Sequence, residues 1–153
     1  MKLIVSPSVL KDIHTIAEKG YPYECCGFLL GSATDDEINI SSIREVINES
    51  IENKKVHYTI PPKEFMKAET FALTNDIQLL GVYHSHPDHP PKPSGRDLAD
   101  ALPEWSYFIT SVCEGQAVDT RSWRLSEERN FIEENIEINY SNQLSKVPMS
   151  NGQ

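Results

Sequence analysis

Tyr83-His84-Ser85-His86-Pro87 ends an apolar stretch, and Ser94-Gly95-Arg96-Asp97 follows after a proline-rich loop. If the first run is a strand, successive side chains alternate faces, so His84 and His86 point the same way, one pleat apart. Two imidazoles and a carboxylate are the three protein ligands of a catalytic zinc, which keeps its fourth position for water; a closed structural site uses four protein ligands. The expected ligands are His84, His86 and Asp97. Two neutral imidazoles and one carboxylate leave such an ion net positive, which lowers the pKa of its water from about 9 toward about 7. The chemistry this favours is hydrolysis.

Ser94 and Asp97 have a second reading. Ser-x-x-acid at a helix start is close to a capping box, although Glu or Gln is the usual third residue. Ser94 can begin the helix while its hydroxyl faces the site. Asp97 is expected to serve the metal, because one carboxylate should not both ligate and reach fully back to the cap. An H-x-H pair alone is weak evidence, since strands carry histidine pairs for packing reasons too. The loop, the serine and the aspartate at set spacing make the combination specific.

Hydrolysis also needs a base that takes a proton from water and passes it to the leaving amine. Glu24 is the candidate, because it opens the apolar run Cys25-Cys26-Gly27-Phe28-Leu29-Leu30, where a carboxylate needs a partner or a function. Ser94 is the candidate donor to the oxyanion formed when water adds to a carbonyl.

Packed elements must hold these groups still. Ser6 and Pro7 start a helix with Val9, Leu10, Ile13, Ile16 and Ala17 at helical spacing, and Gly20 ends it. Residues 24–31 read as a strand covered on both faces. Residues 37–48 read as a second strand and 57–60 as a short third. Pro61 and Pro62 open a helix to about Thr74, with Phe65, Ala68, Ala72 and Leu73 inward. Residues 77–86 form the strand that delivers the histidines, and three prolines stiffen the loop 88–93. Ser94 starts a short helix carrying Leu98, Ala101 and Leu102. Residues 107–113 and 117–125 read as a hairpin through Glu114-Gly115. Residues 131–140 add an edge strand whose glutamates discourage aggregation. Residues 48–56 are placed as a loop beside the site.

At 153 residues the chain is expected to form one domain over 1–140, followed by a polar, disordered tail over 141–153. A net charge of -9 offers no basic footprint for nucleic acid and argues against electrostatic attachment to an anionic membrane. No apolar run spans a bilayer, and the first residues do not form a signal peptide. Three cysteines, with Cys25 and Cys26 adjacent, make a poor disulfide framework and fit a reducing, cytoplasmic setting. Cys25 and Cys26 read as small buried hydrophobes.

Taken together these residues resemble the JAMM (MPN-plus) metalloprotease family. Its pattern is a glutamate on an early strand, H-[ST]-H-P, a loop, and S-x-x-D. Glu24 stands in Tyr23-Glu24-Cys25-Cys26-Gly27-Phe28-Leu29-Leu30-Gly31, and seven residues separate His86 from Ser94 as the pattern requires. The likeness covers residues 3–125. It implies a zinc-dependent peptidase or isopeptidase that cuts after the C-terminal glycines of ubiquitin or ubiquitin-like proteins. By that likeness His84, His86 and Asp97 bind zinc, Glu24 is the acid/base, and Ser94 steadies the oxyanion. The implied fold is α/β: a deaminase-like α/β/α sandwich with a central mixed β-sheet and flanking helices. The chain lacks long insertions and resembles the short stand-alone prokaryotic members. Its expected substrate is a ubiquitin-like or sulfur-carrier protein with a C-terminal diglycine tail.

Two rivals remain. His84-Ser85-His86-Pro87-Asp88-His89 fits the H-x-H-x-D-H of metallo-β-lactamase-like hydrolases, but that family needs further histidines and none follows His89. His89 is then a loop residue near the mouth of the site, and His14 and His57 are structural. The other rival is a non-catalytic MPN-type module that grips a ubiquitin-like partner without cutting; the complete ligand set argues against it.

Overall fold

Eight strands form one mixed sheet with helices on both faces in the computed structural model, which describes residues 1–140. The tail expected over 141–153 lies outside the described residues. The elements run β1 (Lys2–Val5), α1 (Pro7–Gly20), β2 (Cys26–Ala33), β3 (Glu37–Val46), α2 (Pro62–Thr74), β4 (Gln78–Pro87), α3 (Gly95–Asp100), β5 (Ser106–Cys113), β6 (Gln116–Leu125), β7 (Phe131–Glu134) and β8 (Ile136–Ile138). The strand order is β7-β6-β5-β4-β2-β3-β1-β8. The expected α/β/α sandwich is present.

α1 forms where expected. The Ser6 hydroxyl accepts from the Val9 amide at 3.3 Å, Pro7 sets the first turn, and Val9, Ile13 and Ala17 are buried. That stripe packs on one face of the sheet with Leu3, Val5, Leu29, Ile38, Ile40, Tyr83 and Phe108. α2 covers the opposite face. Ala68 and Ala72 let its backbone approach, and Phe28, Leu30, Val82 and Tyr107 complete that core. Covered on both sides, β2 and β4 are almost wholly buried, which is why their sequences do not alternate.

β4 is central, antiparallel to β2 and parallel to β5. Gly81 sits where a side chain would run into the Ser106 carbonyl of β5, so only glycine permits this pairing. Among the described residues no helix is long and apolar enough to cross a membrane.

Five expectations change. β1 was not foreseen; its four residues hydrogen-bond to β3 and β8. Residues 57–60 form no strand: the Asn48 side chain takes the His57 carbonyl and the Thr59 amide, and the Glu49 amide takes the Thr59 carbonyl. Leu73 is exposed, since Ala68 and Ala72 set the buried stripe of α2 and Leu73 falls outside it. Leu102 lies beyond the end of α3 and is half exposed. Residues 131–138 do not line a single edge. β7 pairs with β6 at one end of the sheet and β8 with β1 at the other, with Asn135 alone between them. One short segment therefore covers both outer strands.

Candidate metal centre and active site

The end of β4 brings the two histidines together as the strand periodicity requires. Their Nε2 atoms lie 3.1 Å apart, and both are buried. The loop after β4 turns back, and α3 places Asp97 over them. Asp97 Oδ1 is 3.3 Å from His84 Nε2, and Oδ2 is 3.3 Å from His86 Nε2. One ligand atom from each of the three residues lies within 4.8 Å of the others.

The surroundings prepare these atoms to receive a cation. His86 Nδ1 lies 2.9 Å from the Pro90 carbonyl, which can only accept, so Nδ1 carries the proton and Nε2 turns its lone pair to the centre. His84 Nδ1 has no hydrogen-bond partner among the described residues. Packing holds this ring instead: Tyr58 stacks on it with centroids 4.5 Å apart. Burial lowers the His84 pKa despite Asp97, which favours the neutral imidazole that a metal needs. At His86 burial acts in the same direction but is outweighed by Asp97, the Pro90 carbonyl and Glu24, so its pKa rises. For Asp97, burial opposes ionisation, yet His84, His86 and the Ser94 amide hold its carboxyl far below the usual range. Two facing imidazole nitrogens and an ionised carboxylate fit a divalent cation.

The expected conflict at Asp97 does not arise. Its Oδ2 accepts from the Ser94 amide at 2.8 Å, and the Ser94 hydroxyl accepts from the Asp97 amide at 3.1 Å. This is a complete capping box. A carboxylate has about four lone-pair positions, enough to cap a helix and face two imidazoles. The Ser94 oxygen accepts within the cap, so its own O–H proton remains to be donated elsewhere.

Glu24 lies two residues ahead of β2. Its amide donates to the Lys54 carbonyl at 2.7 Å, and its carbonyl accepts from Asn48 Nδ2 at 3.0 Å. The residue is 7% exposed, and its side chain makes no hydrogen bond or ion pair among the described residues. Burial pushes its carboxyl up to about 8; His86 opposes that rise and Asp97 adds to it. Glu24, His86, His89 and Ser94 line one cavity of about 330 Å3, so His89 stands at the mouth as expected.

Sequence reasoning missed two supports. Ser85 Oγ accepts from the Cys25 amide at 2.9 Å, and the Ser85 amide donates to the Cys25 carbonyl at 3.2 Å. This seam ties the residue after Glu24 to the residue between the histidines. A small hydroxyl amid a buried strand was the available signal. The second is a clasp between α3 and the loop 48–56, which lies beside the site as expected. Arg96 on α3 makes a two-pronged ion pair with Glu52 and donates to His57 Nε2 at 2.7 Å. His57 Nδ1 then donates to Ser50 Oγ at 2.7 Å. Nothing in the spacing of Glu52 and Arg96, 44 residues apart, reveals this clasp. His14 bonds Thr120 Oγ1 at 2.8 Å, away from the centre.

Known proteins share this architecture. A family model described as prokaryotic homologs of the JAB domain matches residues 6–126. A desampylase of Pyrococcus furiosus is 31% identical over 136 residues, covering 89% of this chain and 90% of that protein. A desampylase of Haloferax volcanii is 28% identical over 106 residues, covering 69% and 73%. The solution structure of a Salinibacter ruber protein superposes with a TM-score of 0.71 at 34% identity, covering 91% of this chain and 92% of that one. That of a Desulfitobacterium hafniense protein gives 0.79 at 24% identity, covering 90% and 92%.

Proposed function

The chain belongs to the prokaryotic homologues of the JAB domain, and from that premise we propose that it is a zinc-dependent peptidase or isopeptidase. Its substrate is the C-terminal tail of a ubiquitin-like or sulfur-carrier protein ending in diglycine, and the bond cut is the amide beyond those glycines. The observation that carries this reading is the convergence of His84, His86 and the Asp97 carboxylate beside a buried Glu24 whose side chain is unpaired among the described residues. The desampylase names of two relatives support the ubiquitin-like class of substrate.

His84 Nε2, His86 Nε2 and the Asp97 carboxylate would hold the ion, which supplies Lewis acidity that acidifies water and polarises the scissile carbonyl. Glu24 takes a proton from the attacking water onto its carboxylate and hands it to the leaving nitrogen, so that the amine departs neutral. Its high proton affinity suits the second half of that cycle. The Ser94 hydroxyl, already oriented by the Asp97 amide, donates to the carbonyl oxygen as negative charge grows there. Pro90, Tyr58 and the Arg96–Glu52 clasp keep the histidines and α3 in register.

The test joins metal content to cleavage. Purified protein is expected to carry about one zinc per chain and to trim ubiquitin-like or sulfur-carrier proteins extended past their diglycine, read by mass spectrometry. Glu24→Gln should keep the metal and lose roughly 10²- to 10⁴-fold in rate. A Glu24→Gln protein as active as the parent removes Glu24 from the mechanism.

A further inference from the structure

A second cavity, about 410 Å3, opens beside the metal centre and has no part in the steps above. Tyr58, Phe65, Trp105 and Tyr107 wall it, and Leu102 and Asp100 complete its rim. Tyr58 and Asp100 also line the narrow cleft that contains Glu24 and Asp97. One face of Tyr58 is taken by His84, so the cavity and the metal centre are separated by a single ring. Phe65 and Trp105 stand 6.0 Å apart across the wall.

Asp100 is the one charged side chain that lines this cavity. Asp100 is exposed and makes no hydrogen bond or ion pair among the described residues. Burial raises the Tyr107 phenol's pKa; the Leu102 amide opposes that rise, Asp100 adds to it and Arg129 opposes it. Arg96, one turn earlier on α3, spends its hydrogen bonds on Glu52 and His57, and Asp100 reaches it only through space. No basic side chain lines the cavity. Aromatic faces cover an aliphatic stem and attract a cation at its end, and an unpaired carboxylate at the rim adds the opposite charge. An acidic side chain would meet Asp100 unfavourably, and a small one would leave the aromatic walls wet.

We propose that this cavity is a specificity subsite for a lysine or arginine side chain in the substrate tail, its stem against Tyr58, Phe65 and Trp105 and its head at Asp100. The proposal rests on the peptidase reading above. It names the flanking residue that the metal centre leaves unspecified.

The experiment uses tail peptides with arginine, leucine or glutamate placed in turn at each of the four positions before a diglycine. Binding is measured by calorimetry on the chelated full chain, and hydrolysis of the same peptides, extended past the diglycine, on the zinc-loaded chain. At one position arginine should bind roughly tenfold tighter than glutamate, with leucine between. Asp100→Lys, a change at an exposed residue, should reverse the arginine–glutamate order, and Asp100→Asn should narrow it. Equal affinities, no binding by any peptide, or an order that Asp100→Lys leaves intact overturns the subsite. Hydrolysis without any preference sinks the subsite and spares the peptidase reading. Ordered binding that responds to Asp100→Lys, without hydrolysis of any peptide, supports the subsite and sinks the peptidase reading.

Discussion

Glu24→Gln makes the sharpest physical test, because the residue is 7% exposed and its carboxyl has no hydrogen-bond partner among the described residues to soften its burial. Folding moves this group from an ordinary 4.5 to about 8. Below the lower value it is protonated in both states, and its ionisation costs folding nothing. Between the two values the unfolded chain releases the proton while the folded chain keeps it, so stability falls as pH rises. Above about 8 the penalty is complete. Each pH unit in that window is worth about 1.4 kcal/mol, so the limit is roughly 5 kcal/mol and the change from pH 5 to 7.5 about 3 kcal/mol. Glutamine cannot ionise and escapes the slope, while most other titrating groups are common to both proteins and cancel in the difference. Urea unfolding of the chelated proteins should therefore show the variant gaining on the parent steadily across this range. Saturating zinc, a cation beside the carboxylate, should shrink that gain. Parallel stability curves in the chelated proteins would show that Glu24 ionises freely and that its burial does not govern its proton.

Ser94 combines two duties that substitution can separate. Ser94→Asp keeps an N-cap acceptor but has no hydroxyl proton, so thermal stability should stay within about 1 kcal/mol while kcat falls roughly 10²-fold or more; unchanged kcat would remove the oxyanion role. Tyr58→Ala takes away the ring that orients His84 and should weaken zinc binding by roughly tenfold in a competition titration with a chromophoric chelator, with His86 Nδ1 and Pro90 undisturbed. Gly81→Ala drives a methyl group into the Ser106 carbonyl of β5 and should cost on the order of 2 kcal/mol or more in urea unfolding.

The cluster of His84, His86 and Asp97 was legible because it obeys two short-range rules. A two-residue period puts His84 and His86 on one face, and a stiff loop of fixed length returns Asp97 to them. α1 and α2 were legible from caps and apolar spacing. What escaped depends on contacts far apart in the chain. β1 is four residues long and owes its strand geometry to β3 and β8. Residues 57–60 read as a strand by composition, yet Asn48 spends its side chain on their backbone. Leu102 is apolar and looked like a core position of α3, but the short helix stops at Asp100 and leaves it on the rim of the aromatic cavity. The double use of Asp97 escaped because a sequence shows which groups are present but not how many lone pairs geometry will let each one spend.

The segment from Phe131 to Ile138 works as a hoop closure. It satisfies the outer backbone groups of β6 with its first half and those of β1 with its second. One short segment thus pairs with Ser122–Leu125 of β6 at one end of the sheet and with Leu3–Val5 of β1 at the other. A chain stopped at residue 130 would carry two unpaired margins at once, each a template for strands of other molecules. Such a truncation should aggregate even with every ligand and core residue in place, whereas point changes within the hoop leave at least one margin closed.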